Sequence, residues 1–137
     1  MNRVVLVVLF SVLFILSGCC NLKEAVRGFA GLSTKVLEDT RKDAVAKDFN
    51  ASFDEARSTI KNALKENHSY IYREDSTCNL IAVYVSESDT TPVGIFLTSL
   101  DKDNTKVEIS SPSTYGKEVI AKVVFNALKG IHDAKKQ

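Results

Sequence analysis

Between Tyr70 and Ser110 apolar side chains tend to recur at every second position, and on both sides of that stretch they recur every third or fourth. A period of two belongs to half-buried strands and a period near 3.6 to amphipathic helices, so few folds can accommodate this chain. Ser52-Phe53-Asp54-Glu55 has the form of a capping box, and Phe53, Ala56, Ile60, Ala63 and Leu64 then fall on one face of a helix ending near Glu66 or Asn67. Tyr70-Ile71-Tyr72 reads as a first strand and Glu74 to Thr77 as a turn. Asn79 to Val85 is a second strand, with Leu80, Ala82 and Tyr84 on one face and Ile81, Val83 and Val85 on the other. After the polar loop Ser86 to Pro92 come a third strand, Val93 to Leu97, and a hairpin turn at Asp101-Lys102-Asp103-Asn104. Thr105 to Ser110 forms the fourth strand, with Val107 and Ile109 on its dry face. Ser111-Pro112-Ser113 opens a last helix, whose stripe of Tyr115, Val119, Ile120, Val123, Val124, Ala127, Leu128 and Ile131 is broad and apolar.

The connections are short enough for an antiparallel meander, and two helices can cover one face of it. The expectation is an α+β two-layer sandwich of order αββββα over residues 48–133, with a polar tail at 134–137. Its second sheet face then needs a cover: the upstream segment, a second copy or a partner.

The first 20 residues are of a different kind, with Arg3 as their single charge. Val4 to Leu16 is an apolar run broken only by Ser11. A membrane-crossing helix needs about 20 such residues, so this run has the size of a signal-peptide core. Leu16-Ser17-Gly18-Cys19 resembles the bacterial lipobox read by the lipoprotein signal peptidase. The resemblance implies a signal peptide over 1–18, cleavage between Gly18 and Cys19, a diacylglycerol on the Cys19 thiol and acylation, such as palmitate, of the new amino group. The alternative is an uncleaved membrane anchor of the same topology. Cys20 stands where an Asp favours inner-membrane retention in many two-membraned bacteria, which points to the outer membrane, facing the periplasm.

The 119 residues from Cys19 carry 17 charges of each sign, a balance that excludes a basic nucleic-acid binder and an acidic disordered chain. Cys20 and Cys78 are then the two remaining cysteines, in a compartment where disulfides persist. They can form a bridge, or Cys78 can be a buried thiol. Residues 19–47 read as an amphipathic piece, Asn21 to Ala30, followed by a helical spacer capped at Ser33 or Thr34 and running to Lys47. Its opposite charges stand four apart, Lys35 with Asp39, Glu38 with Lys42 and Asp43 with Lys47.

The layout also resembles an uncharacterised family of short bacterial lipoproteins with a helix, four-strand, helix domain of unknown function. The features that carry this are Phe53 to Leu64, Thr105-Lys106-Val107-Glu108-Ile109, and Tyr115-Gly116 leading into the last helix. The family has no assigned activity, so no functional residue follows from it.

Candidates for chemistry are sparse. His68 and His132 are the only histidines, and neither they nor Cys20 and Cys78 show the paired spacing of a zinc site. A Cys78–His68 pair on neighbouring strand ends would have no marked third group to orient it. The carboxylate pairs Glu38-Asp39, Asp54-Glu55 and Glu74-Asp75 read as a solvated spacer, a helix N-terminus and a turn. Asp101, Asp103 and Asn104 lack the Gly and Glu of a calcium loop. Ser111 to Thr114 could receive an anion on free amides or simply cap the last helix. The expected function is a lipid-anchored, non-catalytic cell-envelope lipoprotein with no cofactor, no metal and no nucleic acid. It would bind an envelope protein, or itself, through the sheet face. The rivals are an accessory subunit of an envelope transport or assembly complex, and a thiol-dependent enzyme or redox protein using Cys78.

Overall fold

The computed structural model describes residues 34–134, except for the side chain of His132. The signal peptide, the lipobox with Cys19, Cys20, the Asn21 to Ala30 piece and tail residues 135–137 lie outside the described residues. In chain order the elements are α1 (Lys35–Asp39), a 3₁₀ turn (Thr40–Asp43), β1 (Val45–Phe49), α2 (Phe53–Glu66), β2 (Tyr70–Asp75), β3 (Leu80–Tyr84), β4 (Pro92–Ser99), β5 (Thr105–Ser110) and α3 (Thr114–Ala134). The class is α+β with one antiparallel sheet, as the two periodicities predict. The sheet has five strands, in the order β1-β5-β4-β3-β2, where four were expected.

The additional strand takes over the last three residues of the expected spacer helix, Val45 to Lys47, and continues to Phe49. Val45 to Phe49 pairs along β5, from Val45 opposite Ile109 to Phe49 opposite Thr105. Charge pairs at helical spacing contribute only about 0.2–0.5 kcal/mol each. A sheet edge offers a whole ladder of backbone hydrogen bonds, and that tertiary pairing overrides the local pattern. Only Phe49 of β1 is buried, so the strand leaves no alternating signature in the sequence. β2 also runs further than expected, to Asp75, with a register shift between Ile71 and Arg73.

The helices cover one sheet face. Ile81, Ile95 and Ile109 lie opposite one another across β3, β4 and β5, and Val83 and Leu97 join them beneath α2 and α3. α2 contributes Ala56, Ile60 and Leu64; α3 contributes Ile120, Val124, Phe125 and Leu128. The Ser52 hydroxyl accepts the Glu55 amide at 3.4 Å, the expected cap. Gly116 sits in the first turn of α3, where a Cβ would lie 2.6 Å from the Thr91 methyl, so α3 can approach the end of the β3–β4 loop only through a glycine.

The opposite face is covered by the upstream segment, one of the three covers anticipated above. Leu37 is 0% exposed and packs with Leu80, Ala82 and Phe96. The Ser110 hydroxyl donates to the Leu37 carbonyl at 2.7 Å. Arg41 pairs with Glu108, and its guanidinium lies 4.3 Å from the centre of the Phe96 ring. At Gly94 a Cβ would come within 3.0 Å of the Leu37 Cβ, so the glycine makes room for the strap. Residues 36–43 are therefore a docked strap and not a spacer. Among the described residues no helix is long and apolar enough to cross a membrane.

Candidate functional site

The C-terminal end of α2, the start of β2 and the β3–β4 loop enclose an open groove of about 810 Å³. Lys61, Lys65 and His68 line it from the helix end, Ser69 and Tyr70 from the strand, and Ser86, Glu87 and Ser88 from the loop. α2 must stop here and hand over to a strand running back along the sheet. It does so through a Schellman turn, in which the His68 amide donates to the Lys65 carbonyl at 3.1 Å and the Ser69 amide to the Leu64 carbonyl at 2.9 Å. This turn needs one left-handed residue, and His68 supplies it at φ 58°. Glycine is the usual occupant, because a side chain in that conformation costs about 1 kcal/mol or more.

The groove walls are tied together. The Ser69 hydroxyl donates to the Val85 carbonyl at 3.1 Å and accepts from the Asn67 side-chain amide at 3.0 Å. Across the groove, Ser86 Oγ accepts the Asp89 amide at 3.0 Å, and Asp89 Oδ1 accepts from Thr91 Oγ1 at 2.7 Å. The loop is thus held by its own polar groups. Tyr70, 50% exposed, lines the groove from the strand, but its ring lies on the strap face of the sheet, 6.2 Å from Tyr84, which lies 4.3 Å from Tyr72.

Lys61 is committed to Glu74, with Nζ 2.9 Å from the carboxylate, and Arg57 reaches the other oxygen of Glu74 at 2.7 Å. The hydrogen bond from Lys61 is the main reason the Glu74 carboxyl titrates below its ordinary range, and Arg57 adds to it against a partial opposing effect of burial. Among the described residues, Lys65 and Glu87 form no ion pair. The lining therefore offers one ammonium and one carboxylate outside any ion pair, while the Ser69, Ser86 and Ser88 hydroxyls are engaged within the turn and the loop and the Tyr70 ring stacks on the strap side of the sheet.

The sequence-selected residues distribute as follows. His68 and Cys78 lie at opposite ends of β2, not on neighbouring strand ends; the strand's six residues, at roughly 3.3 Å per residue, stand between them. Cys78 packs against the Leu37 cluster and is disulfide-bonded, so its sulfur is not a free nucleophile. Glu74 faces α2 whereas the Asp75 carboxylate accepts the Thr77 amide at 2.9 Å, which separates that carboxylate pair. Asp101 accepts the Asp103 amide and the Asn104 side chain, as a hairpin turn requires; the Asn104 hydrogen bond is the main cause of its lowered pKa. Ser111 donates to the Pro92 carbonyl and accepts the Ser113 amide, and Ser113 accepts the Gly116 amide, so capping occupies the Ser113 and Gly116 amides. Among the described residues no cluster of His, Cys, Asp or Glu could hold a metal ion.

The groove was not selected from the sequence, because its parts come from three separated segments. One signal was available: no glycine follows Glu66, although a helix that turns straight into a strand needs a left-handed residue there. Neither the models of known protein families nor the curated proteins include a match to this chain.

Proposed function

We propose that this chain is a lipid-anchored lipoprotein of the bacterial cell envelope whose α+β domain is a non-catalytic binding module. The observation that carries the anchor is the succession of Arg3, the apolar run Val4 to Leu16, and Leu16-Ser17-Gly18-Cys19. Cleavage before Cys19 and a diacylglycerol on its thiol leave a membrane-held protein, since several acyl chains at ~0.8 kcal/mol per buried CH₂ bind a bilayer durably. The outer membrane, facing the periplasm, is the destination consistent with Cys20 in the position after the anchor. Cys78 would then pair with Cys20, the remaining cysteine, a bridge that non-reducing peptide mapping reads directly. Likeness to the short bacterial lipoproteins of the helix, four-strand, helix type belongs to the same proposal, with β1 as an addition to that layout.

A binding module is favoured over a thiol-dependent enzyme by the separation of His68 from Cys78 and by the engagement of Cys78 in a disulfide. Fractionation of cells expressing wild type and Cys19→Ala tests the anchor. Wild type is expected in the membrane fraction, released by detergent and not by high salt. Release of wild type by salt alone would contradict the proposal.

A further inference from the structure

The antiparallel sheet brings two turns to one end of the domain. Asp75 stands opposite Leu80 across the β2–β3 turn, and the Leu97 amide donates to the Asn79 carbonyl at 3.0 Å, so this turn lies level with the last residues of β4. β4 and β5 run on beside it, with Ser99 opposite Thr105, and close in the Asp101–Asn104 turn. Leu100, 49% exposed, stands at the foot of that second turn. The last turns of α3 reach the same end, where Lys129 and Asp133 line a cleft with Phe49, itself opposite Thr105. The groove at the end of α2 and the β3–β4 loop lie at the other end of the strands.

The cysteines say which end is held near the lipid. The chain has three, and Cys78, in the β2–β3 turn, is disulfide-bonded. A thiol that carries a diacylglycerol is a thioether and cannot also enter a disulfide, so a lipid on Cys19 leaves Cys20 as the partner. Consecutive Cα atoms stand about 3.8 Å apart, and those of a disulfide about 4.4–6.8 Å. The bridge therefore keeps Cys78 within about 10 Å of the lipidated residue. Without it, the stretch from Cys19 to Thr34 reaches about 50 Å at roughly 3.3–3.6 Å per residue.

We infer that the end of the domain formed by the β2–β3 turn and the β4–β5 hairpin rests on the headgroup layer of the bilayer, with Leu100 entering the interface. The exposed charges there are mixed, Lys102 and Lys129 against Asp101, Asp103 and Asp133, which suits zwitterionic phospholipid and gives anionic lipid no advantage. β2, six residues at roughly 3.3 Å each, then carries the His68 turn up to about 20 Å further from the bilayer, so the groove faces away from the membrane. The main competitor is the other end of the sheet, where Tyr70 and Tyr115 are 50% and 61% exposed. The bridge counts against it, because the length of the strands then stands between those rings and the lipid. The inference rests on the Cys19 lipid and the Cys20–Cys78 bridge proposed above, and it adds the surface that the domain turns to the membrane.

The test places the lipidated protein in phosphatidylcholine nanodiscs containing a lipid with gadolinium on its headgroup and follows amide signals by nuclear magnetic resonance. Signals of Ser76 to Asn79 and Leu100 to Asn104 should be lost, those of His68, Ser86 to Asp89 and Tyr115 retained, and the pattern should persist at high salt. Cys20→Ser, a change outside residues 34–134, should restore the signals of both turns. Leu100→Ser should restore Asp101 to Asn104 and leave Ser76 to Asn79 lost. Losses centred on Tyr70 and Tyr115, uniform losses over the bridged protein, a pattern unchanged by Cys20→Ser or by Leu100→Ser, or peptide mapping that joins Cys78 to Cys19 would each overturn the inference. Intact mass of the same sample keeps the two proposals apart: a diacylglycerol on Cys19 with the wrong pattern removes the orientation alone, and its absence removes the anchor as well.

Discussion

Leu37→Ala separates a docked strap from a solvated spacer. Leu37 is 0% exposed and packs in a cluster whose other buried members are Leu80, Ala82 and Phe96. Leu→Ala at buried sites costs about 2–5 kcal/mol, depending on how far the surroundings close over the gap. This cluster is small and lies beneath a single short segment, which can settle inward, so about 2–3 kcal/mol is expected. The Ser110 hydrogen bond to the Leu37 carbonyl and the Arg41 contacts to Glu108 and Phe96 do not involve the truncated side chain and should persist. For a domain of this size each kcal/mol moves the midpoint by roughly 4–8 °C, giving a fall on the order of 10–20 °C. Urea denaturation followed by circular dichroism measures the same quantity, with Val36→Ala as control because Val36 is 42% exposed. A Leu37→Ala loss no larger than about 0.5 kcal/mol, the usual range for exposed positions, would refute the docked strap and restore the spacer.

Three further substitutions probe the rest of the fold. Gly116→Ala places a Cβ 2.6 Å from the Thr91 methyl and should cost about 1–3 kcal/mol in thermal or urea unfolding. In a Thr91→Ser background, which removes that methyl and keeps the hydroxyl for Asp89, the penalty should largely disappear. His68→Gly relieves the left-handed strain and should stabilise the domain by about 0.5–1 kcal/mol, read as a higher unfolding midpoint. Glu74 titrates below its ordinary value, so its contribution is fully present above the unfolded-state pKa and is lost as pH falls through the folded value. Glu74→Gln should therefore lower stability at neutral pH by no more than about 1 kcal/mol, as befits a partly exposed pair, and the difference from wild type should vanish in strong acid.

The sequence was informative wherever burial imposes a period. Phe53 to Leu64 and the Val107/Ile109 alternation announce their elements because one face of each is dry. β1 was illegible for the converse reason: four of its five residues are exposed, and its strand character comes from pairing with β5. The strap was misread because the docking of Leu37 depends on residues distant in sequence, Gly94 and Ser110 among them, which leave no mark near position 37. The groove stayed hidden on the same grounds, since Lys65, Tyr70 and Ser88 meet only when β2 and the β3–β4 loop are in place. Cys78 and His68 read from the sequence as able to sit on neighbouring strand ends, and the length of β2 separates them.

The lipid proposed for Cys19 is the centre of the account, and intact-mass analysis of the protein recovered from membranes tests it most directly. The account predicts a chain beginning at Cys19 with the added mass of a diacylglycerol, and an uncleaved, unlipidated chain that retains the residues before position 19 for Cys19→Ala. Finding the same unlipidated mass for wild type and variant would contradict it.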